Sequence, residues 1–275
     1  MPAYPFRQVD VFPDAALGGN PVAVVLDADG IDDATMADFA RWTNLSETTF
    51  VLRPTNERAD YRLRIFTPGG ELPFAGHPTL GSASAWADHV GSEADRLVQE
   101  CGIGLVDVKR RDDGFALAAP PLIRSGAASA EDTVAAARSL RIEVDHVLAA
   151  EWVDNGPGWL ALRLVDADTV LALVPDFERM PFPLGVIGPH PAGGPADFEV
   201  RAFVPGLGVP EDPVTGSLNA GIGTWFFGAG IVADTYTVRQ GTVLGRNGFV
   251  RVERDDEGVW VSGATRTHVA GEVTL

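Results

Sequence analysis

Two Gly-rich stretches of the chain read almost alike, and each carries an ionisable residue. The first, RIFTPGGELPFAGHPTLGSASAW, covers residues 64–86 and contains His77. The second, RAFVPGLGVPEDPVTGSLNAGIGTW, covers residues 201–225 and contains Asp212. Imidazole and carboxyl side chains are the groups that enzymes most often use to move protons. The repeat therefore points to acid–base chemistry carried by two related turns.

A repeat of this length indicates two related half-structures. Aligning His77 with Asp212 brings Gly81 onto Gly216, with a serine after each glycine, so that both ionisable residues occupy one position of the repeat. We expect each half to run from a strand through a Gly/Pro turn into a helix. The helix N-termini would offer backbone N–H groups to a carboxylate, in a groove where His77 and Asp212 face each other.

Glu47, in NLSETTFV, is a third candidate for proton transfer. It lies between the apolar residues Leu45 and Phe50, a setting that raises the pKa of a carboxyl group and suits it to act as acid or base. The structural alternative is that Glu47 caps a strand or pairs with an arginine. His77 has a similar alternative as a hydrogen-bonded turn residue, and Asp212 as a turn or N-cap residue.

Other polar residues are interpreted as structural. Asn20, in GGNP, fits a turn. Arg64 and Arg201 recur in both repeats, which fits an ion pair at least as well as substrate binding. The four remaining histidines share no spacing typical of a metal site, so we predict no metal.

Length and charge limit the function classes. The chain has 275 residues, of which 45% are hydrophobic, enough for two modest cores. Its formal charge of -17 would repel nucleic acids and anionic membranes. No stretch reaches the ~20 apolar residues of a membrane helix, and the N-terminus lacks a signal-peptide pattern. We expect a cytoplasmic protein with no nucleic-acid or membrane partner.

The order of predicted elements favours two α+β domains. Strand patterns mix with single helices, including DDATMADFARWT, GSASAWADHVG and residues 217–228, rather than alternating strictly, which predicts mixed sheets around a helix. The apolar helix at 217–228 contains internal glycines, which indicates close packing. We predict an N-terminal half at 1–119, joined by a C-terminal strand at 265–275, a linker at 120–127 and a C-terminal half at 128–264.

The segments GGNPVAVV, SETTF, FAGHPTLG and EDPVTGS, in this order, resemble the phenazine-biosynthesis PhzF-like family over essentially the whole chain. The wider resemblance is to the diaminopimelate epimerase-like fold. It implies two pseudo-symmetric domains, each a mixed β-sheet or barrel wrapped around a central helix. It also implies a homodimer.

The resemblance has consequences for mechanism. Epimerases and racemases of that fold use two facing cysteines, whereas Cys101 is the only cysteine here and lies outside both turns, which excludes a two-cysteine racemase. Similarity to PhzF-like members implies a cofactor-free isomerase in which Glu47 shuttles a proton on a small anionic substrate, assisted by His77 and Asp212. The residues implied to hold the substrate carboxylate are Ser46, Gly76, Gly216 and Ser217.

Two other function classes stay open at this point. One is a non-catalytic protein that binds small acids, because a fold does not fix chemistry. The other is a metal-dependent hydrolase with Glu47, His77 and Asp212 as ligands. Deuterium uptake by a bound acid in heavy water would exclude the first, and activity in the presence of a chelator would exclude the second.

Overall fold

The computed structural model describes residues 2–205 and 210–275, which form two compact units. Unit 1 comprises the residues up to Ala118 together with Ser262–Leu275, and unit 2 comprises the described part of Ala119–Val261. Each unit combines strands with helices, so the fold class is α+β, as the sequence predicts.

Unit 1 is a mixed sheet with two α-helices among its described residues. Its strands are β1 (Ala3–Val11), β2 (Asn20–Val25), β3 (Glu47–Leu52), β4 (Tyr61–Thr67), β5 (Gly70–Leu72), β6 (Arg96–Cys101), β7 (Gly104–Arg111) and β8 (Gly114–Ala118). Its helices are α1 (Asp33–Thr43) and α2 (Gly76–Val90). The pairs β2–β3 and β4–β6 are parallel, whereas β1–β2, β3–β4, β4–β5, β6–β7 and β7–β8 are antiparallel.

Helix α1 shows how local sequence sets these elements. The side chain of Asp32 accepts a hydrogen bond from the backbone N–H of Thr35, which caps the helix start. Met36 and Phe39 then lie on its buried face at helical spacing and pack on the sheet. The helix ends where Asn44 adopts a left-handed conformation at φ 54°, which asparagine tolerates better than most residues.

Helix α2 is the central helix of unit 1. It packs against β1, β2, β3, β4, β6 and β8, and most of its residues are buried. At Gly81 a Cβ atom would lie 2.4 Å from Cγ1 of Val22 and 3.0 Å from Cγ2 of Val11, so the absence of a side chain lets helix and sheet approach closely. The last strand, β17 (Gly258–Thr274), pairs antiparallel with β1 and also pairs with β8.

Unit 2 contains three α-helices among its described residues. Its strands are β9 (Arg124–Ala127), β10 (Val147–Asp154), β11 (Leu160–Leu164), β12 (Leu184–Pro189), β13 (Phe198–Phe203), β14 (Glu211–Asp212), β15 (Thr235–Gln240) and β16 (Gly248–Asp255). Its helices are α3 (Ala130–Ser139), α4 (Ala167–Leu171) and α5 (Gly216–Gly228). Because β9 pairs with β10, the predicted linker at 120–127 contains a strand of unit 2.

The two units repeat one pairing pattern. In unit 2, β11–β12 and β13–β15 are parallel, and β10–β11, β12–β13, β13–β14 and β15–β16 are antiparallel. Strands β1 to β7 of unit 1 thus correspond to β10 to β16, with α5 in the place of α2. Helix α5 packs against β10 and β16, and a Cβ atom at Gly221 would lie 2.3 Å from the backbone oxygen of Val153. The close packing predicted for this helix is confirmed.

The register of the repeat differs from the one that the sequence suggested. Leu72 pairs with Ile65 in unit 1, and Asp212 pairs with Ala202 at the corresponding place in unit 2. Three residues then lead to the first residue of each central helix, Gly76 or Gly216. The alignment of His77 with Asp212 was therefore wrong: Asp212 corresponds to Leu72, and the second helical residue of unit 2, Ser217, corresponds to His77.

A repeated ion pair supports the corrected register. The guanidinium of Arg64 donates two hydrogen bonds of 2.7 Å to the carboxylate of Glu71, and Arg201 donates two of 2.8 Å to Glu211. Both arginines also lie over a phenylalanine ring two residues further along the strand. The structural interpretation of the two arginines is confirmed. No helix among the described residues is both long and apolar enough to cross a bilayer.

Candidate active site

Unit 1 brings Glu47 and His77 together. Glu47 is the first residue of β3, beside Val22 of β2 in the parallel pair, and His77 is the second residue of α2. Oε2 of Glu47 lies 3.2 Å from Nε2 of His77, a close contact in which the two atoms are not aligned as a hydrogen bond. The side chains are 15% and 4% exposed, so the contact is largely withdrawn from water.

The second ring nitrogen of His77 contacts Asn20. Nδ2 of Asn20 lies 3.3 Å from Nδ1 of His77, and both residues are buried. Asn20 is the first residue of β2 and pairs with Val11 of β1, so the sheet fixes its backbone. The sequence interpretation treated Asn20 as a turn residue and missed this contact. No sequence signal pointed to this contact, because asparagine before proline is equally typical of a turn.

Burial also controls the charge of His77. Desolvation lowers the pKa of its imidazole from 6.5 to about 3, because an apolar environment disfavours the charged form. The ring is therefore neutral at pH 7, with one nitrogen protonated. Glu47 thus faces a neutral ring rather than a positive charge.

The start of α2 offers backbone donors. Among the described residues, no side chain caps α2 or α5, whose N-cap residues are Ala75 and Thr215. The other three α-helices of the described chain are capped by the side chains of Asp32, Ser129 and Asp166. The two central helices thus leave N–H groups of their first turns without a side-chain acceptor, which is the arrangement that binds anions.

Two of the predicted binding residues lie in this part of unit 1. Gly76 is the first residue of α2 and is buried, so it can offer only its backbone. Ser46 is half-buried in the turn that joins α1 to β3, directly before Glu47. Proline at position 78 is compatible with the helix because an N–H group in the first turn has no intrahelical partner to lose.

In unit 2, Asp212 is held by a hydrogen-bonded chain. The hydroxyl of Thr215 donates to Oδ2 of Asp212 at 2.6 Å, and Nε2 of Gln240 donates to that hydroxyl oxygen at 2.8 Å. Nε2 of Gln240 also donates to the backbone oxygen of Asp212 at 3.1 Å. These contacts fix the carboxylate of Asp212 four residues before the first residue of α5. Sequence reasoning missed Thr215 and Gln240, which neither spacing nor composition distinguishes.

Gly216 and Ser217 begin the central helix of unit 2. Both are buried, and Oγ of Ser217 accepts a hydrogen bond of 3.1 Å from Nε1 of Trp159. The side chain of Asn155 donates to the backbone oxygen of Ser217 at 2.9 Å. The structure thus gathers Asp212, Gly216 and Ser217 at the N-terminal end of α5, as it gathers Glu47, Gly76 and His77 at that of α2.

The described residues give less support to a metal site or a thiol nucleophile. No group of three His, Cys, Asp or Glu side chains that could hold a metal ion occurs in residues 2–205 and 210–275. Cys101 is the last residue of β6, away from both helix starts in sequence, and burial raises the pKa of its thiol. A thiol with a raised pKa is a poor nucleophile at neutral pH.

Comparison with solved structures identifies the fold. A phenazine biosynthesis protein of the PhzF family from Enterococcus faecalis superposes with a TM-score of 0.83 at 26% identity, with all of both chains covered. A hydroxyproline epimerase from Agrobacterium vitis superposes with a TM-score of 0.61 at 14% identity over 99% of this chain and 93% of its own. The class of protein is thus the α+β fold that PhzF proteins share with diaminopimelate epimerase-like enzymes.

Sequence comparison then gives the family. The family model of phenazine biosynthesis-like proteins, PhzC-PhzF, matches residues 9–275. Antisense-enhancing sequence 1 of Schizosaccharomyces pombe is 36% identical and covers 99% of both chains. The trans-2,3-dihydro-3-hydroxyanthranilate isomerase of Pseudomonas chlororaphis is 35% identical over 97% of this chain and 98% of its own. The chain belongs to the phenazine biosynthesis-like family, and it is an isomerase that acts on a small molecule.

Proposed function

We propose that this chain is a cofactor-independent isomerase that moves a proton between two carbon atoms of a small carboxylate-bearing substrate, with Glu47 as acid and base. The observation that carries the proposal is the contact between Glu47 and His77, with 3.2 Å between Oε2 and Nε2. It joins the one candidate carboxyl group of unit 1 to a neutral, buried imidazole. Such pairs occur at sites of proton transfer more often than elsewhere.

The proposed reaction balances without a second reactant. The Glu47 carboxylate takes a proton from a carbon next to an unsaturated system, and the electron pair of the C–H bond shifts the double bond. The protonated carboxyl group then returns the proton to the other end of that system. Substrate and product have the same composition, and the enzyme ends as it began. One carboxyl group on one face of the substrate serves both steps.

His77 supports the carboxylate in this scheme. Because its ring is neutral at pH 7, a dipole rather than a full charge lies 3.2 Å from Oε2 of Glu47 and stabilises the anionic carboxylate without a full ion pair. A full positive charge at this distance would make Glu47 a weaker base. The neutral ring keeps the carboxylate ionised and still basic enough to remove a proton.

The uncapped central helices support an anionic substrate. We propose that Ser46 and Gly76 in unit 1, and Gly216 and Ser217 in unit 2, bind carboxylate oxygens through backbone and hydroxyl donors. Asp212, held by Thr215, would orient a donor group of a substrate. The proposal extends from the named isomerases of the family to a conjugated hydroxy acid as the substrate class.

The proposal is tested with trans-2,3-dihydro-3-hydroxyanthranilate, the compound that names the Pseudomonas relatives. The purified chain is incubated with it in heavy water with and without a chelator, and deuterium in substrate and product is followed by NMR. We expect isomerisation that the chelator does not change, with deuterium in the product to the extent that protonated Glu47 exchanges with solvent before it returns the proton. A bound acid that is neither isomerised nor deuterated would indicate a binding protein, and loss of activity with chelator would indicate a metal enzyme.

Glu47→Gln tests the role of the carboxyl group. A positioned acid or base contributes roughly 10²–10⁴-fold to a rate, so turnover should fall by about that factor while the chain stays folded. Glu93→Gln, which changes an exposed carboxyl group in the same unit, is the matched control and should keep wild-type turnover. A Glu47→Gln enzyme as active as this control would exclude Glu47 as the proton carrier.

A further inference from the structure

The two nitrogens of the His77 ring face partners of different chemistry. Nδ1 lies 3.3 Å from the amide nitrogen of Asn20, and Nε2 lies 3.2 Å from a carboxylate oxygen of Glu47. The amide nitrogen of asparagine can only donate, and a carboxylate oxygen can only accept. A neutral imidazole has one donor and one acceptor nitrogen, so the donating amide of Asn20 at Nδ1 selects the tautomer with its proton on Nε2, the nitrogen that faces Glu47.

We propose that Asn20 is a positioning residue that fixes His77 in the tautomer protonated at Nε2, so that resting Glu47 is a carboxylate and takes the substrate proton first. Asn20 is fully buried, and its backbone is held in β2 by pairing with β1. Because Asn20 is buried and its backbone is fixed, water cannot replace His77 as the partner of its side-chain amide. Only the statement that Glu47 takes the substrate proton first rests on the proposed function, because the tautomer is a property of the free enzyme.

The opposite tautomer would reverse the order of proton transfers. If the amide oxygen of Asn20 accepted a hydrogen bond from Nδ1, then Nε2 of His77 would be an acceptor. Glu47 would have to be protonated to satisfy it, and the enzyme would begin by giving a proton rather than taking one. The identity of the group that Asn20 presents to His77 thus sets the direction of the first step.

The test is a long-range ¹H–¹⁵N NMR spectrum of the intact chain with ¹⁵N-labelled histidine at pH 7. Five histidines give few signals, and His77→Gln assigns the one of interest. We expect Nδ1 to have the ¹⁵N chemical shift of an unprotonated nitrogen and Nε2 to have that of a protonated nitrogen. A spectrum with the proton on Nδ1 would overturn the proposal.

Asn20→Asp changes the donor into an acceptor with little change of shape. The new carboxylate should draw the proton to Nδ1 or lead to protonation of both nitrogens, and kcat should fall by roughly 10²–10⁴-fold with a smaller change in KM, because the imidazole beside Glu47 is then held in the wrong protonation state. An unchanged His77 spectrum in this variant would contradict the assignment. If the variant fails to fold, the wild-type spectrum still decides.

Gln99→Glu is the matched control. Gln99 is another fully buried amide of unit 1, and its Nε2 donates to Oγ1 of Thr79 at 3.1 Å rather than to His77. The same amide-to-acid change there should leave the His77 spectrum as in the wild type. A chain with the expected tautomer that neither isomerises nor deuterates the substrate would refute the proposed function and leave the role of Asn20 intact.

Discussion

At the scale of single residues, the proposed chemistry depends on a histidine that is kept neutral by burial. His77 is 4% exposed, and burial lowers its pKa from 6.5 to about 3. The unfolded chain exposes the ring to water, where the pKa returns to its ordinary value. Between these two values the unfolded state binds a proton that the folded state does not.

This difference predicts a loss of stability in acid. Because the folded pKa lies below the unfolded one, the contribution of His77 to the free energy of unfolding is full above pH 6.5 and is lost progressively as the pH falls towards about 3. Each unit of pKa difference is worth about 1.4 kcal/mol. Urea titrations at several values between pH 7 and 4 should show that His77→Gln removes part of the wild-type pH dependence.

His146→Gln is the control for that experiment. His146 is exposed, so its replacement should leave the slope of stability against pH unchanged. If His77→Gln and wild type lost stability in parallel from pH 6.5 to 4, the imidazole would have to be protonated in the folded state. That result would contradict the lowering of the His77 pKa by burial.

The sequence alone identified part of the candidate site. Glu47 and His77 stand out because an ionisable group among apolar neighbours or glycines is uncommon, and the structure places them in contact. Asn20 does not stand out, because asparagine before proline is equally typical of a turn. Its role depends on a partner 57 positions away, which local patterns do not encode.

At the scale of elements, each central helix approaches its sheet closely at one glycine. Gly81 in α2 and Gly221 in α5 occupy the same position of the repeat, five residues after the first glycine of the helix. A Cβ atom at Gly81 would meet valine side chains, whereas one at Gly221 would meet a backbone oxygen at 2.3 Å. Side chains can shift, but the carbonyl of Val153 is fixed in β10.

We therefore predict that Gly221→Ala destabilises unit 2 by about 2 kcal/mol or more, in the range of overpacked cores, although alanine is the better helix former. Gly228→Ala, at the last residue of the same helix, meets no atom within 4 Å and should be neutral or slightly stabilising. Chemical denaturation of the two variants gives the comparison. Equal stabilities would mean that the helix moves away from β10 without cost.

Element prediction from the sequence failed chiefly in register. Proline and glycine recur in turns for general conformational reasons. The dipeptide His77–Pro78 could therefore be aligned with Asp212–Pro213, although the two lie five positions apart in the true correspondence. The better signal was the pair formed by an arginine and a glutamate, Arg64 with Glu71 and Arg201 with Glu211. Its spacing changes from 7 to 10 residues, which hides it from an alignment without gaps.

At the scale of the whole molecule, one plan is used twice and has diverged. Both units share strand pairing, the central helix and the arginine–glutamate pair, but Glu47 and His77 belong to unit 1 alone, and the equivalent of His77 in unit 2 is Ser217. Duplication thus preserved what holds each sheet to its helix and changed the residues at the helix starts. Because the ion pair occurs in both units, its contribution to stability can be compared between them.

The last prediction compares the two copies of that pair. Arg201 and Glu211 are 3% and 8% exposed, and Nη1 of Arg201 also donates to the backbone oxygen of Leu173 at 2.8 Å. Arg64 is 22% exposed and keeps a second partner, Asp33, when Glu71 is changed. Removing one charge of a buried pair leaves the other charge buried without compensation, which lowers the free energy of unfolding by about 3–5 kcal/mol. Exposed pairs contribute about 1 kcal/mol or less.

Glu211→Gln should accordingly destabilise unit 2 by about 3 kcal/mol, and Glu71→Gln should change unit 1 by about 1 kcal/mol or less. Hydrogen exchange on peptides from β13 and β4 reads the two units separately, and Glu57→Gln at an exposed site of unit 1 controls for the lost charge. Equal effects in both units would show that burial does not determine the strength of the pair. A neutral Glu211→Gln would show that the buried arginine is satisfied by backbone carbonyls alone, so that the pair is retained from the duplication without stabilising the unit.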